Sequence, residues 1–309
     1  MTVYEKQVRI LLRVLPLIEY DHPEDGSPLL ALKGGTALNF LLWNLPRLSV
    51  DIDLAYCPIN DRGRAVQEIT ASMERLAERA KGHLNGASVT LTSANPVPKV
   101  LIQYDGVMVK IEPNATIRGT VYETEFTQLQ PEVVRRFEMD VKVRRLSVHD
   151  LYGGKICAAL DRQHPRDLFD IGQLLDSEGI NEKTRTAFLI YLISHNRPMA
   201  ELLDPQFQPL AAIYEREFLG MTEVKTSLKQ LEHNRSQLVA LLRSSLCAND
   251  KEFLLSVKNG VPDWALLDVP HAAELPAVRW KLHNIAQLNQ NPVKHKVAIA
   301  KLRKVLERG

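Results

Sequence analysis

The 309-residue chain is long enough for two domains, or for one domain with a large extension, and its composition (45% hydrophobic, 25% charged) provides a sizeable core. The three cysteines are far apart, which excludes a disulfide framework and a cysteine zinc site. No apolar run approaches the roughly 18 residues that span a membrane, which excludes a membrane protein. The N-terminus is charged, which excludes a signal peptide. We therefore expect a soluble cytoplasmic protein, and its net charge of +2 does not by itself indicate a partner.

The first predicted elements are a helix and a short buried strand. Apolar spacing predicts a helix over residues 3–20 that is kinked or ends near Pro16. The apolar run at 29–33 predicts a buried strand that stops at Gly34 and Gly35, and Thr36 is a candidate N-cap for a short helix after this turn. Because a glycine turn between a strand end and a helix start exposes backbone N–H groups, it predicts a phosphate-binding loop.

Two aspartates lie in the next predicted strand. Residues 49–56, SVDIDLAY, alternate so that Asp51 and Asp53 share one face and the apolar residues share the other. Two carboxylates about 6–7 Å apart along a strand are costly to bury, and a hard cation such as Mg²⁺ neutralises both while leaving positions for phosphate oxygens. With the preceding glycine turn, the pair predicts a nucleotidyl-transfer site. A strand edge with exposed acids is the structural alternative.

A helix and further strands complete the predicted N-terminal half. We expect a helix over residues 62–81, a strand at 88–93, and a hairpin whose two alternating arms are joined by Asp105 and Gly106. The second arm of this hairpin brings more charged residues into the sheet.

A third carboxylate from a neighbouring strand usually completes a metal site of this kind. Glu112, at the end of the second hairpin arm, is the best candidate, and Glu123 and Glu125 are weaker ones. The structural alternative for Glu112 is an exposed hairpin residue, and Lys110 on the same face could pair with any of these acids.

From about residue 146 the predicted elements are mostly helices. Ser147 and Asp150 have capping-box spacing at the start of a helix, HDLYGGKICAALDR, and a second helix, RDLFDIGQLLDSEG, ends at Gly179. Strands therefore concentrate before this point and helices after it, which predicts an α/β or α+β core followed by a helical domain.

These two helices carry candidate site residues. Lys155 and Arg162 are two helical turns apart, so they share a face on which small residues leave room for a triphosphate. Of Asp167 and Asp170, we expect one to pair with Arg162 or Arg166 and the other to face the site, with Asp167 catalytic and Asp170 supporting. Two ordinary surface cations are the structural alternative.

Two groups of motifs resemble known families. KGGTAL, followed by Arg47-x-Ser49-x-Asp51-Ile-Asp53-Leu, resembles the first motif of the polymerase-β-type nucleotidyltransferase superfamily, and more narrowly the AbiEii/AbiGii family of toxin nucleotidyltransferases, known from abortive-infection and toxin–antitoxin operons. The stretch DLYGGKICAALDRQHPRDLFD is similar to that family's second motif cluster, and LPAVRWKLHNIAQLN also resembles its members. The resemblance covers residues 29–56, 107–113, 146–175 and 275–305.

The resemblance implies a Mg²⁺-dependent enzyme that transfers a nucleoside monophosphate from NTP to an acceptor. In the better understood relatives the acceptor is the 3′ end of tRNA, and the cognate antitoxin is typically a winged-helix repressor. Carried over to matching positions, it implies that Asp51 and Asp53 bind metal, that Lys155 contacts the triphosphate, and that Asp167 is a second catalytic carboxylate.

The first motif also implies a nucleotide-binding set, which we expect to comprise Gly34, Gly35, Thr36, Arg47 and Ser49, together with the two cations of the helical half. The wider superfamily often has Gly-Ser where this chain has two glycines. The serine contact to the γ-phosphate is therefore missing, and Thr36 or the backbone must serve instead.

The C-terminal region is basic. From Pro276 to Gly309 there are eight Lys or Arg residues and one acidic residue, Glu307. Such an end suits a polyanion such as RNA, although a solvated face of an amphipathic helix is the commoner explanation.

We thus predict a nucleotidyltransferase-type mixed-sheet core over residues 1–146 and a helical domain over residues 147–309 that completes a cleft. The predicted function is a toxin that transfers NMP from NTP to an RNA acceptor, the tRNA 3′ end, within a toxin–antitoxin or abortive-infection phage-defence system. The alternatives are a nucleotidyltransferase that modifies a protein or small molecule, and a non-catalytic nucleotide-binding module.

Overall fold

The computed structural model describes residues 2–308, which divide into two compact units. The first lies within Met1–Ser147 and includes Gly220–Val224, and the second lies within Val148–Leu219 and Lys225–Gly309.

The first unit is built around one mixed sheet of seven strands. Its strands are β1 (Leu30–Lys33), β2 (Asp51–Tyr56), β3 (Ser88–Leu91), β4 (Val100–Tyr104), β5 (Val107–Arg118), β6 (Glu125–Gln128) and β7 (Lys142–Arg145). Their spatial order is β3-β4-β5-β2-β1-β7-β6. Since β2 pairs antiparallel with β1 and parallel with β5, the strand that carries the two aspartates lies in the middle of the sheet.

Four helices belong to the first unit within the described residues, and three of them, α1, α2 and α3, pack against the sheet. They are α1 (Val3–Val14), α2 (Gly34–Ala37), α3 (Arg62–His83) and α4 (Pro131–Phe137). A π-helical turn, Leu38–Leu42, continues directly from α2.

One predicted detail of these helices is confirmed and another needs correction. The helix predicted over residues 3–20, with a kink or an end near Pro16, ends at Val14 and is followed by a 3₁₀ turn that contains Pro16, because proline has no N–H to continue the helical hydrogen bonds. Thr36 is not an N-cap, since α2 begins at Gly34 with Lys33 in the cap position. The strand-to-helix turn is therefore tighter than the sequence pattern predicted.

The predicted hairpin is confirmed. β4 and β5 pair antiparallel, and Asp105 and Gly106 join them with φ angles of 49° and 74°. Left-handed conformations at both turn positions are those that an Asp-Gly pair adopts most readily. On its other side β5 pairs parallel with β2, which places Glu112 beside Asp53.

The second unit consists of helices in the described residues. They are α5 (Val148–Arg162), α6 (Pro165–Asp176), α7 (Glu182–Ser194), α8 (Met199–Leu203), α9 (Ala211–Glu217), α10 (Leu228–Ser245), α11 (Ala248–Asn259), α12 (Pro276–Asn289) and α13 (Pro292–Leu306). The main helix contacts are α5 with α7 and α6 with α10. Between residues 2 and 308, no helix has both the length and the apolar character needed to cross a membrane.

Candidate active site

Asp51 and Asp53 lie on one face of β2, with partly exposed side chains, while Ile52 and Leu54 on the other face are fully buried. This confirms the alternation read from SVDIDLAY. In the sheet, Asp53 lies opposite Lys33 of β1 and beside Glu112 of β5. The central strand thus presents two carboxylates at the point where β1 ends and the glycine turn begins.

Gly34 makes room for the carboxylate of Asp53. Its φ of +72° is in the left-handed region, and a Cβ added to it would lie 2.5 Å from Asp53 Oδ2. Glycine is therefore required at this position both by the backbone conformation and by the closeness of the carboxylate.

Gly35 makes room for a different group. A Cβ at this position would lie 2.5 Å from Arg47 Nη2 and 3.0 Å from Ser49 Oγ. Both side chains are buried, and Arg47 Nη1 also donates to the carbonyl oxygen of Leu48 at 2.9 Å. The structure therefore brings Arg47 and Ser49 together at the glycine turn, with Arg47 beneath the surface.

Thr36 is buried and supports the strand. Its hydroxyl donates to the carbonyl oxygen of Asp51 at 2.5 Å and lies 3.0 Å from the hydroxyl of Ser49. Asn39, which the sequence analysis did not single out, is also buried and donates to the carbonyl oxygen of Gly35 at 2.9 Å. These polar side chains hold the glycine turn against the start of β2.

Glu112 is paired with two lysines. One carboxylate oxygen contacts Lys99, and the other lies 2.5 Å from Lys110. Burial raises the pKa of Glu112, but hydrogen bonds and the positive charges of Lys110 and Lys99 outweigh this and lower it. Burial lowers the pKa of Lys110, but Glu112 and the charges of Asp51 and Asp53 outweigh this and raise it. The carboxylates on this face are therefore partly neutralised by lysine.

The two aspartates suit a hard divalent cation. They offer oxygen donors on one strand face, and Asp53 Oδ2 occupies the space that the missing Cβ of Gly34 leaves. Among residues 2–308 no three His, Cys, Asp or Glu side chains form a metal-binding group. Asp51 and Asp53 thus fit Mg²⁺ as a pair, whereas Glu112 can join them only if a lysine releases it.

The other weaker candidates lie elsewhere in the first unit. Glu125 on β6 forms an ion pair with Arg145 on β7 at 2.9 Å, and Glu123 is exposed in the segment before β6. Both positions are away from the β2–β5 pair in the strand order, so neither is beside the two aspartates in the sheet.

In the second unit, α5 and α6 bring together a buried ionic cluster. Lys155 Nζ lies 2.8 Å from Asp167 Oδ1 and 2.8 Å from Asp170 Oδ2, and all three side chains are almost completely buried. Arg162 Nε and Nη2 donate to the two oxygens of Asp167 at 2.6 and 3.0 Å. The expected pairing of one aspartate with Arg162 is confirmed, but it is Asp167, the residue expected to be catalytic, and the other aspartate, Asp170, is completely buried against Lys155 and is not open to a ligand.

The two cations of the cluster differ in their exposure to solvent. The side chain of Arg162 is 64% exposed, whereas Lys155 is buried between its two carboxylates. The predicted open face shared by Lys155 and Arg162 is therefore wrong, because the carboxylates of α6 cover Lys155. Burial raises the pKa of Asp167, but Lys155 and Arg162 outweigh it and hold that pKa well below the usual range. A carboxylate with a lowered pKa is a weak base, so this arrangement suits orientation of the cations better than proton abstraction.

A sequence model of a protein family, described as "Nucleotidyl transferase AbiEii toxin, Type IV TA system", matches residues 20–245. Among solved structures, MenT4, nucleotidyltransferase toxin Rv2826c from Mycobacterium tuberculosis, is similar with a TM-score of 0.57 and 14% identity over 92% of this chain and 92% of that chain. This similarity confirms the predicted fold of a mixed sheet followed by helices.

Terminal uridylyl transferase 4 from Trypanosoma brucei with bound UPU also matches, with a TM-score of 0.30 and 13% identity over 97% of this chain and 93% of that chain. A TM-score of this size is too low for a comparison of folds. No curated protein sequence matches the chain.

Proposed function

The chain belongs to the AbiEii family of nucleotidyl transferase toxins of type IV toxin–antitoxin systems, and from this we propose that it transfers a nucleoside monophosphate from NTP to RNA, at the 3′ end of tRNA. The observation that carries the proposal is the seating of Asp53 against Gly34, beside Asp51, in the centre of the sheet. A toxin of this family has an antitoxin partner, which we propose is a winged-helix repressor, and we propose that both act in the cytoplasm.

In the proposed reaction, the 3′-hydroxyl of the acceptor loses its proton to solvent, its oxygen forms a bond to the α-phosphorus of the NTP, and the bond from that phosphorus to pyrophosphate breaks. Mg²⁺ held by Asp51 and Asp53 would supply charge neutralisation for the phosphate oxygens. Gly34 keeps the Asp53 carboxylate in place, and Thr36 holds the backbone of Asp51. Glu112 remains a candidate third ligand, in competition with its lysines.

The phosphates need cations as well as metal, and the chain has several candidates. Arg47 lies against Gly35, and we propose that it and Ser49 support the nucleotide loop from below. Arg162, with its exposed guanidinium, is the member of the α5–α6 cluster that we propose contacts phosphate. Lys155 and Asp167 then act as positioning residues, because Asp167 holds Arg162 through two hydrogen bonds.

A labelling assay tests this function. The purified protein is incubated with Mg²⁺, total RNA and each NTP in turn, radiolabelled at the α-phosphate, beside Asp51→Asn and Asp53→Asn. We expect a labelled band of tRNA size whose intensity falls at least about a hundredfold in either variant, because each loses a metal ligand. Asp105→Asn, in an exposed turn whose left-handed φ asparagine tolerates, is the matched control and should label as the wild type does.

The assay also separates the two alternatives. If protein or a small molecule is labelled instead of RNA, and the label still depends on Asp51, the proposed nucleotidyl transfer is correct but the proposed RNA acceptor is not. Growth arrest on expression that persists in both aspartate variants, with no label on anything, would favour a non-catalytic nucleotide-binding module.

A further inference from the structure

A pocket of about 210 Å³ lies within the second unit and belongs to none of the site residues described above. It is formed by the end of α7, the residues that lead into α8, the end of α11 and one face of α12. The side chains that matter for its chemistry are His195, Met199, Lys258, Trp280, Lys281 and Asn284. The volume is below the roughly 300–1,000 Å³ of a typical small-molecule site.

Two lysines give the pocket a positive charge. Lys281 Nζ donates to the carbonyl oxygens of His195 and Arg197 at 2.5 and 2.8 Å, which fixes its position on the pocket wall. Within residues 2–308, neither Lys258 nor Lys281 has a carboxylate within ion-pair distance. Burial, and secondarily the charge of Lys258, lowers the pKa of Lys281 to about 8, and burial lowers that of Lys258. An anion between them would restore the missing neutralisation.

An exposed aromatic pair lies on the same helix. Trp280 lines the pocket and is 60% exposed, and its ring stacks on His283 with a centroid distance of 5.6 Å and an interplanar angle of 20°. A large flat ring that is open to solvent beside unpaired cations is the combination with which proteins bind single strands, through stacking on bases and attraction of phosphates.

The next helix extends the positive surface. On α13, Lys294, Lys296, Arg303 and Lys304 are exposed and make no ion pair with the described residues. Lys301 and Arg308 of the same region are different, because Glu201 and Asp204 neutralise them. α12 and α13 pack together, and the ring of His295 lies 3.1 Å from the carbonyl oxygen of Lys258, so the start of α13, with Lys294 and Lys296 on either side of His295, lies close to a residue that lines the pocket.

We propose that this pocket and the adjoining face of α13 bind single-stranded RNA, with a phosphate between Lys258 and Lys281 and a base stacked on Trp280. The inference rests on the proposed RNA acceptor, and it names a docking surface for it in the helical unit. An acidic protein would satisfy the lysines but would need a separate side chain to cover the indole, whereas each nucleotide of a single strand brings a phosphate and a stacking base together, so the observations favour a nucleic acid strand.

The experiment measures binding without chemistry. Fluorescent oligouridylate is titrated with the full chain in the absence of NTP and Mg²⁺, and anisotropy gives the affinity. We expect Trp280→Ala to weaken binding about tenfold and Lys258→Ala several-fold, while Trp280→Phe keeps most of the affinity because it preserves the aromatic face. The matched controls are Phe207→Ala, an aromatic 44% exposed elsewhere in the unit, and Lys229→Ala on α10; both should bind as the wild type does.

Three results would overturn the proposal. Unchanged affinity in Trp280→Ala and Lys258→Ala, with RNA still labelled in the transfer assay, would disprove the docking surface and leave the proposed function intact. No RNA binding by the wild type, together with label on another acceptor, would disprove both the docking surface and the proposed RNA acceptor. Competition by polyglutamate as strong as that by oligouridylate, with no effect of Trp280→Ala, would assign the surface to an acidic protein.

Discussion

At the scale of single residues, the glycine turn has two different requirements. Gly34 faces the carboxylate of Asp53, and Gly35 faces the guanidinium of Arg47. A sequence pattern can indicate that a Gly-Gly turn after a strand approaches something closely, but it does not identify the groups on the other side. Here the two groups are the strongest candidate metal ligand and a buried cation.

Gly34→Ala should reduce nucleotidyl transfer about a hundredfold, because the new Cβ would push Asp53 Oδ2 from its position, and shifts of about 1 Å in a site can have effects of this size. Its left-handed φ should also cost about 1–3 kcal/mol of stability. Gly86→Ala is the matched control, with a φ of +84° and nothing within 4 Å of an added Cβ. It should share the stability loss, measured by urea denaturation, and retain activity. Equal activity in the two variants would contradict the proposed seating of Asp53.

The ionic cluster predicts how stability depends on pH. The pKa of Asp167 is lower in the folded chain than its ordinary value of 3.8, so the folded state favours the ionised form. Its contribution is therefore fully present above about pH 4 and is lost as the pH falls toward the folded pKa. Asp167→Asn should cost about 3–5 kcal/mol at neutral pH, since a partner of a buried pair is removed.

Urea denaturation over a pH series measures this effect. The wild type should lose stability more steeply below pH 4 than Asp167→Asn does, while Asp140→Asn, an exposed carboxylate outside the cluster, should follow the wild type. Parallel pH profiles for the wild type and Asp167→Asn would show that the cluster does not stabilise the ionised carboxylate.

Residue types and spacing predicted the polar face of β2 and indicated Lys110 as a partner for the acids near it, but they did not indicate Lys99. Period-two alternation places Asp51 and Asp53 on one face of any strand, so this part could be predicted from the sequence. Glu112 lies beside Asp53 because β5 pairs with β2, and Lys99, just before β4, reaches Glu112 only through the folded sheet. The burial of Thr36 likewise follows from packing between α2 and β2, which no local pattern encodes.

At the scale of elements, the pair Gly153-Gly154 in α5 resembles part of a functional motif, yet the two glycines pack differently. A Cβ on Gly153 would lie 2.8 Å from the backbone nitrogen of Phe188 and 2.9 Å from the carbonyl carbon of Ala187. A Cβ on Gly154 would meet the ring of Tyr191 at 3.5 Å, an ordinary contact. Gly153 therefore permits the close approach of α5 and α7, whereas Gly154 does not determine it.

Gly153→Ala should destabilise the chain by about 1–3 kcal/mol, because the clash is with backbone that cannot rotate away. Gly154→Ala should be neutral or stabilising by up to about 1 kcal/mol, since alanine favours the helix. Chemical denaturation of both variants at neutral pH measures the difference. A larger loss in Gly154→Ala than in Gly153→Ala would contradict the α5–α7 packing described here.

At the scale of the whole molecule, the change from strands to helices near residue 146 could be predicted from the sequence, because strand alternation and helical spacing are local patterns. The return of Gly220–Val224 to the first unit had no such signal. It depends on contacts between distant parts of the chain, in which Leu48 N–H donates to the carbonyl oxygen of Met221 at 2.8 Å and Arg136 pairs with Glu223 at 2.6 Å. A short segment without its own periodicity can be assigned only from the folded chain.

Charge is also a property of the whole molecule, and here its distribution matters more than its sum. The net charge of +2 hides the unpaired cations of α13. If they neutralise phosphates of a bound strand, each should contribute about −0.7 to the slope of log affinity against log salt concentration. Lys294→Gln/Lys296→Gln should therefore make the slope for oligouridylate shallower by about 1.4.

Lys225→Gln/Lys229→Gln removes the same charge elsewhere in the second unit and should leave the slope as it is, because these lysines lie outside α12 and α13. Equal shifts from the two double variants would mean that RNA senses only the total charge of the protein, and the α13 face would then have no special part in binding.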